Sequence, residues 1–397
     1  MPHFGLTEEQ VEFRKWLHEF AEREIRPVAA EYDESEEFPW PVVKKASEIG
    51  LYSLDFWMQT ASDESGLSMP IALEEICWGC AGIGLCIFGS GLPLAALANA
   101  GTPEQLLNWG PKMFGTADDP KLGAFAVTEP QAGSDVSSLR TTAKRERDGW
   151  LLNGTKVFIT NGGIADVHVV VATVDPNLGH RGQASFIVEK GTPGLKQGKK
   201  EKKLGIRASH TAEVILEDVW VPGENVLGGE EKLNAKIERA KSGQKGKESV
   251  ALKTFEATRP SVGAQAVGIA EAAWTFARDY AKERSTFGRP IIEHQGVAFQ
   301  LADMAMETEA ARLLVWRAAW MGRTGQPFVH AEGSMSKLKA GEVAVRVTEQ
   351  AIQVLGGYGY IKDFPVEKWY RDAKIYTLFE GTSEIQRLVI SRALAAE

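Results

Sequence analysis

The chain has little cysteine, no surplus of positive charge and no long unbroken apolar run, and each shortage excludes a class of protein. Only Cys77, Cys80 and Cys86 occur among 397 residues. So few, and an odd number, do not make a disulfide framework. Cys77-Trp78-Gly79-Cys80 is a CxxC, but zinc needs a second ligand pair and no further CxxC or HxxxH is present, so no metal site is expected. The surrounding IALEEICWGCAGIGLCIF reads as a buried helix in which cysteine serves as a small hydrophobe. A net charge of -8 leaves no overall basic field for phosphates, which argues against nucleic acid as the main partner. Apolar stretches are broken by glycine and charge before the roughly 18 residues of a membrane span. The N-terminus, MPHFGLTEEQVEF, has no basic segment leading into an apolar one, so no signal peptide is expected. The expectation is a cytoplasmic protein, or one of the mitochondrial matrix where a transit peptide has been removed.

What is present is the composition of an ordinary globular protein, 44% hydrophobic and 25% charged, on a chain long enough for two or three domains. Thr7-Glu8-Glu9-Gln10 is a capping box, followed by Phe13, Trp16, Leu17, Phe20 and Ala21 at helical spacing. Everything to about residue 120 reads as helical. The texture then changes to β-branched and aromatic runs, KVFIT (156–160), VHVVVATV (167–174), ASFIVEK (184–190) and AEVILEDVWVP (212–222). Asp148-Gly149 and Asn153-Gly154 are read as hairpin turns. No helix is long enough for a crossover, which predicts an antiparallel sheet or small barrel. Residues 230–248, rich in Lys, Glu, Gly and Gln, read as a solvated connection. From residue 251 the chain is helical again, with Phe299, Met304, Met306, Leu313, Leu314 and Trp316 read as a core stripe. The predicted domains are 1–122, helical; 123–229, antiparallel β; and 230–397, a helical bundle. The fold class is α+β.

Four stretches carry candidate chemistry. In AFAVTEPQAGSD (124–135), small hydroxyl residues and a glycine turn can hold an anion or a polar ring edge, or can simply be a well-made turn. In KVFITNG (156–162), strand alternation puts Phe158 and Thr160 on one face, suited to a planar heterocycle or to an ordinary half-buried strand. In RSTFGRPIIEHQ (284–295), Arg284 and Arg289 suit phosphate, or a solvated helix end. In QVLGGYGYIKDFPVEKWYRDAK (353–374), Gly356, Gly357 and Gly359 admit close approach of a ligand, but no strand precedes them, so a Rossmann reading fails. Beside these stands LFEGTSEIQR (378–387). Thr382 or Ser383 caps the helix that follows, which leaves Glu380 without a capping role.

Together and in this order the motifs resemble the acyl-CoA dehydrogenases along essentially the whole chain. AVTEPQAGSDVSS and QVLGGYGYIKDFPVEKWYRD are similar to that family's two signatures, and RSTFGRPI, FEATRP and FEGTSEIQR fall where it has them. The nearest likeness is to the medium- and short-chain branch. The resemblance implies an N-terminal helical domain, a middle β-domain and a C-terminal four-helix bundle, in a homotetramer. It implies FAD, held by Phe125, Val127, Thr128, Gly133 and Ser134, by Phe158 on the ring and Thr160 near N5, by Arg284, Thr286, Phe287 and Gln295, by Gln353, Gly356 and Gly357, and by Thr382 and Glu384. Ser134, Glu256, Arg259 and Gly381 would meet the acyl-CoA. Glu380 would take the α-proton while flavin N5 takes the β-hydride, giving the trans-2-enoyl-CoA, with electrons passed to an electron-transfer flavoprotein.

Some branches place the base one residue before the arginine matched here by Arg259. That position is Thr258, which cannot serve, so Glu380 is the one candidate. Ile83, Ile87 and Phe88 would line the floor of the acyl pocket. An acyl-CoA oxidase on the same fold is the second reading, and a non-catalytic binding protein the third. A carboxylate base counts against a monooxygenase.

Overall fold

The fold begins with eight helices that enclose an apolar core. They are α1 (Glu8–Phe20), α2 (Ala29–Ser35), α3 (Trp40–Glu48), α4 (Leu54–Ser62), α5 (Ser68–Gly79), α6 (Ala81–Phe88), α7 (Gly91–Ala100) and α8 (Pro103–Trp109). These come from a computed structural model that describes residues 5–243 and 250–395, without the side chains of 250–257. The capping box forms as the sequence suggests: Thr7 accepts from the Gln10 N–H and the Gln10 side chain accepts from the Thr7 N–H. Of the α1 stripe, Leu17, Phe20 and Ala21 are buried, whereas Trp16 remains partly exposed. Residues 81–100, helices α6 and α7, are together long and apolar enough to cross a membrane. That differs from the reading of the sequence. Yet 78% of the stretch is buried inside the fold, and it serves as the core of the first lobe.

The middle lobe is a seven-stranded sheet. Its strands are β1 (Gly123–Ala126), β2 (Thr142–Glu146), β3 (Gly149–Thr160), β4 (Val167–Thr173), β5 (Gln183–Glu189), β6 (Leu195–Lys200) and β7 (Thr211–Pro222). The order is β1-β4-β2-β3-β7-β6, with β5 on β4. Most pairs are antiparallel, but β1 runs parallel to β4 from Gly123↔Val167 to Ala126↔Val170. The β2–β3 hairpin lies between them in sequence and supplies the crossover that a parallel pair needs. Asp148–Gly149 does turn this hairpin. Asn153-Gly154 does not turn: it lies inside β3, at a register shift against β7. Gly154 is needed there because a Cβ would come within 2.4 Å of the Thr141 hydroxyl.

The charged segment after Gly229 is helical over α9 (Glu230–Lys241), not a loop. Its acidic residues open the helix and its basic residues close it, matching the helix dipole. Glu230 accepts from the Trp150 indole and Lys236 donates to the Gln183 carbonyl, so α9 is tied to the sheet. Residues 244–248 of the same segment lie outside the described residues.

The last lobe holds α10 (Val250–Glu283), α11 (Gln295–Arg323), α12 (Glu332–Leu355), α13 (Val366–Ala373) and α14 (Ser383–Leu394). A short ribbon of β8 (Ser285–Thr286) and β9 (Arg289–Pro290) separates α10 from α11. Helices α10, α11 and α12 pack on one another, and α14 packs on α12. Met304 is buried in this bundle, but Phe299 and Met306 are exposed and Leu313 partly so, against the expectation of a core stripe. The three lobes share one continuous core. Helix α5 lies against α10 so closely that a Cβ on Gly268 would stand 2.2 Å from the Glu74 carbonyl.

Candidate active site

Glu380 sits in the turn that leads into α14. Its φ is +54° and that of Gly381 is +91°, two left-handed residues in succession. Glycine adopts this region freely and glutamate does not. Hydrogen bonds hold the turn. The buried Gln386 amide donates to the Glu380 carbonyl at 3.1 Å and to the Gly381 carbonyl at 3.0 Å. Lys337, buried on α12, donates to the Gly381 carbonyl at 2.7 Å. Thr382 caps α14 by accepting from the Ile385 N–H. The capping role thus falls to Thr382, and Glu380 is left for another.

The carboxyl of Glu380 is set among helices. Thr258 on α10 donates to its Oε2 at 3.1 Å. Burial pushes the carboxyl up to about 7, and the Thr258 hydrogen bond with the charges of Lys337 and Arg259 keeps it from rising further. A carboxylate poised near neutrality is matched to proton transfer at physiological pH. No acceptor for the Glu380 N–H occurs among the described residues. Arg259 is buried and donates to Ser334 at 2.9 Å, so it faces the interior behind the turn. Glu256 lies on α10, and its side chain is outside the described residues.

On the sheet side a buried ion pair shapes the 127–141 loop. Lys156 on β3 donates to Glu129 at 2.7 Å and to the Val127 carbonyl at 2.9 Å. Glu129 also accepts from the N–H groups of Arg140 and Thr141. These partners outweigh its burial and hold it at about 2. Phe125 and Val127 are buried, Thr128 is half-buried, and Gly133 and Ser134 are exposed. One strand away, Phe158 is 65% exposed at φ +58°, within a register shift that spans Lys156–Ile159. Val157 and Ile159 are buried and Thr160 is half-buried, but β3 carries one extra residue between Lys156 and Ile159, so the strand alternation expected to put Phe158 and Thr160 on one face is interrupted there. Thr160 stands next to Gly89, where a Cβ would come within 3.3 Å of it.

A cleft of about 650 Å³ joins the two motifs of the last lobe. Arg284, Thr286 and Phe287 line one side and Gly356, Gly357 and Tyr358 the other. Gly356 and Gly357 have open space where a Cβ would be. Phe287 is 97% exposed. Gln295 and Gln353 are exposed at the first turn of α11 and the last turn of α12, beside the cleft but outside its lining. Glu384 is exposed in the first turn of α14.

The structure therefore joins Glu380, Thr382 and Gly381 in one turn, Phe158 and Thr160 at one end of β3, and the 284–287 and 356–357 motifs in one cleft. Reading the sequence missed Lys337, Gln386 and Ser334, and gave Thr258 only a negative role. Lys337 left a signal, a lysine on the face of α12 otherwise taken by Ser336, Ala340, Gly341 and Ala344. Gln386 left none, because glutamine in a helix is unremarked.

The residues fit a flavin. An exposed aromatic ring projects from β3, a half-buried threonine lies two residues on, and an open cleft carries an arginine and bare glycine backbone. This defines the class as flavin-dependent oxidoreductases, with a carboxylate available for acid–base work. Comparison with known proteins gives the particular family. Profiles of the acyl-CoA dehydrogenase N-terminal, middle and C-terminal domains match residues 7–116, 124–219 and 248–395. A short-chain-specific acyl-CoA dehydrogenase of Clostridium acetobutylicum is 43% identical over 390 residues, covering 98% of each chain. Butyryl-CoA dehydrogenase of Megasphaera elsdenii superposes with a TM-score of 0.87 at 38% identity, over 99% of this chain and 100% of that one. A chain from a structure on the electron transferring flavoprotein of Acidaminococcus fermentans does so with the same score and identity, over 100% of both. The chain belongs to the acyl-CoA dehydrogenase family, FAD-dependent oxidoreductases.

Proposed function

We propose that the protein oxidises short, straight-chain acyl-CoA thioesters to trans-2-enoyl-CoA, with Glu380 as the base and an electron-transfer flavoprotein as acceptor. The observation that carries this is the Glu380 carboxyl, raised to about 7 by burial in a turn held on both carbonyls. The α-hydrogen of a thioester is weakly acidic. A base near neutrality removes it best when the developing negative charge on the thioester oxygen meets hydrogen-bond donors. The Glu380 N–H is one such donor. The acyl chain deepens the desolvation that keeps the carboxyl ready to accept a proton.

FAD supplies the acceptor for the β-hydride when bound. Phe158 would lie on its ring and Thr160 at the ring edge, with Thr128, Gly133 and Ser134 along the loop. Phe125 and Val127 are buried and would contribute backbone groups. Arg284, Thr286, Phe287, Gly356 and Gly357 would line its diphosphate end, with Gln295, Gln353, Thr382 and Glu384 nearby. Gly381, Ser134, Glu256 and Arg259 are assigned to the thioester and its CoA. The short chain length is supported by the names of the relatives, and Ile83, Ile87 and Phe88 on α6 are assigned to the floor of the acyl pocket. A homotetramer is supported by Phe287, Tyr360, Phe299 and Met306, apolar groups left exposed on the bundle side. The bacterial relatives support a cytoplasmic location.

Anaerobic titration of the yellow protein with C4 to C16 acyl-CoAs tests this. Butyryl- and hexanoyl-CoA should bleach the flavin first. A protein that no acyl-CoA bleaches would refute the reading. In Glu380→Gln, FAD and ligand binding should persist while bleaching slows by about 10³-fold or more.

A further inference from the structure

Lys337 is a buried cation with no carboxylate in direct contact among the described residues. Lysine is seldom fully buried unless paired. Here its only hydrogen bond among those residues goes to the carbonyl of Gly381, the residue after the base. Its exposure is 1%, on a face of α12 otherwise made of small residues. The charge is therefore directed at the Glu380–Gly381 turn and little else.

We infer that Lys337 is a positioning residue for the base: its ammonium clamps the Gly381 carbonyl, which fixes the left-handed turn, and its charge favours the ionised carboxylate of Glu380. This rests on Glu380 acting as the base. The clamp and the charge are separable functions of one side chain. Gln386 shares the clamp, donating to both carbonyls, but it carries no charge.

The other groups that face Glu380 are few. From α10 come the Thr258 hydroxyl and the Arg259 guanidinium, the latter engaged with Ser334. From α12 comes Lys337 itself. From α14 comes Glu384, exposed in the first turn and acting on Lys337 from the solvent side. The Glu256 side chain on α10 is outside the described residues. Lys337 and Arg259 are the two cations that act on the carboxyl, and both lower its proton affinity. Burial in turn pulls Lys337 down to about 8, so its own charge fades just above the pH at which the base ionises.

The test compares wild-type and variant holoenzymes mixed anaerobically with butyryl-CoA, following the rate of flavin bleaching from pH 5.5 to 9. Lys337→Gln keeps a donor for the Gly381 carbonyl and removes the charge. The acid limb of its profile should move up by about one pH unit, with bleaching about tenfold slower below the midpoint and recovering at high pH. Lys337→Arg should keep the wild-type limb. Lys337→Met, which retains a buried stem, is the second variant should Lys337→Gln lose its flavin, and the same upward move is expected. A limb that stays at the wild-type pH while the rate falls evenly across the range would overturn the inference and leave Lys337 as a structural prop. A wild type that no acyl-CoA reduces sinks the dehydrogenase reading itself, a different outcome from an unmoved limb.

Discussion

Replacing Gly381 by alanine should uncouple the base from its site. The φ of +91° lies where an L-residue is strained, at about 1–2 kcal/mol. The added methyl would also stand 2.6 Å from Gln386 Nε2. That amide must move, with loss of two hydrogen bonds worth about 0.5–1.5 kcal/mol each. The total is roughly 2–5 kcal/mol, and it falls on the one turn that aims Glu380. Part will appear as lost stability and part as displacement of the carboxylate. A shift of about 1 Å at a reacting group costs on the order of 10²-fold in rate. The expected result is a lower melting temperature, retained FAD and flavin bleaching by butyryl-CoA slowed about 100-fold. Gly322→Ala, on α11 with only ordinary contact to Phe328, is the control and should bleach at the wild-type rate. The assay is rapid-mixing absorbance of the flavin beside thermal unfolding of the same samples. If Gly381→Ala bleaches as fast as wild type, the turn does not set the geometry of the base.

Four further outcomes follow from the same structure. Because only the ionised form of Glu380 accepts a proton, bleaching should rise with pH through about 7; a profile flat from pH 5.5 to 8 would contradict that. The folded carboxyl titrates above its ordinary value, so its ionisation costs stability as pH rises from about 4.5 to 7. Glu380→Gln should accordingly exceed wild type in stability above pH 7, by up to about 3 kcal/mol, and match it below pH 4.5, as read from denaturant melts. Lys156→Met strands Glu129 and should cost about 3–5 kcal/mol and loosen the 127–141 loop, measured as lost flavin and a lower melting temperature. Phe88→Ala should lower stability by about 3–5 kcal/mol and shift preference in bleaching rate towards longer acyl-CoAs.

Much of this was legible in the sequence where a residue type has one strong local meaning. The capping box at Thr7, the cap at Thr382 and the helix–strand–helix texture all survive in the structure. Local patterns misled where a distant partner decides. Asn153-Gly154 has turn chemistry, yet β7 and Thr141 draw it into a bulged strand. The α11 stripe has core composition, yet nothing among the described residues covers Phe299 or Met306. The charged stretch after Gly229 looked solvated because its helix buries only Leu233 and Ala240 and is anchored through polar groups. The surroundings of Glu380 were the least legible part. Thr258, Lys337 and Gln386 reach it from three helices, and no periodicity of one helix records what another places beside it.

The contacts of α13 have a consequence for how the chain is made. Asp372 accepts from the Ile206 N–H at 2.5 Å, Arg371 holds Asp33 at 2.7 Å and Lys368 reaches Cys80 at 3.2 Å. One eight-residue helix thus ties the first lobe to the connection between β6 and β7 in the middle lobe, and Arg371 is 338 residues from Asp33. On a ribosome, the first two lobes emerge with these groups unpartnered and with α5 lacking α10, its main cover. Contacts this distant form late and slowly, leaving apolar surface open in the meantime. The protein should therefore depend on chaperones during synthesis, and chains ended before residue 366 should be lost to aggregation, not trimmed to a smaller working enzyme.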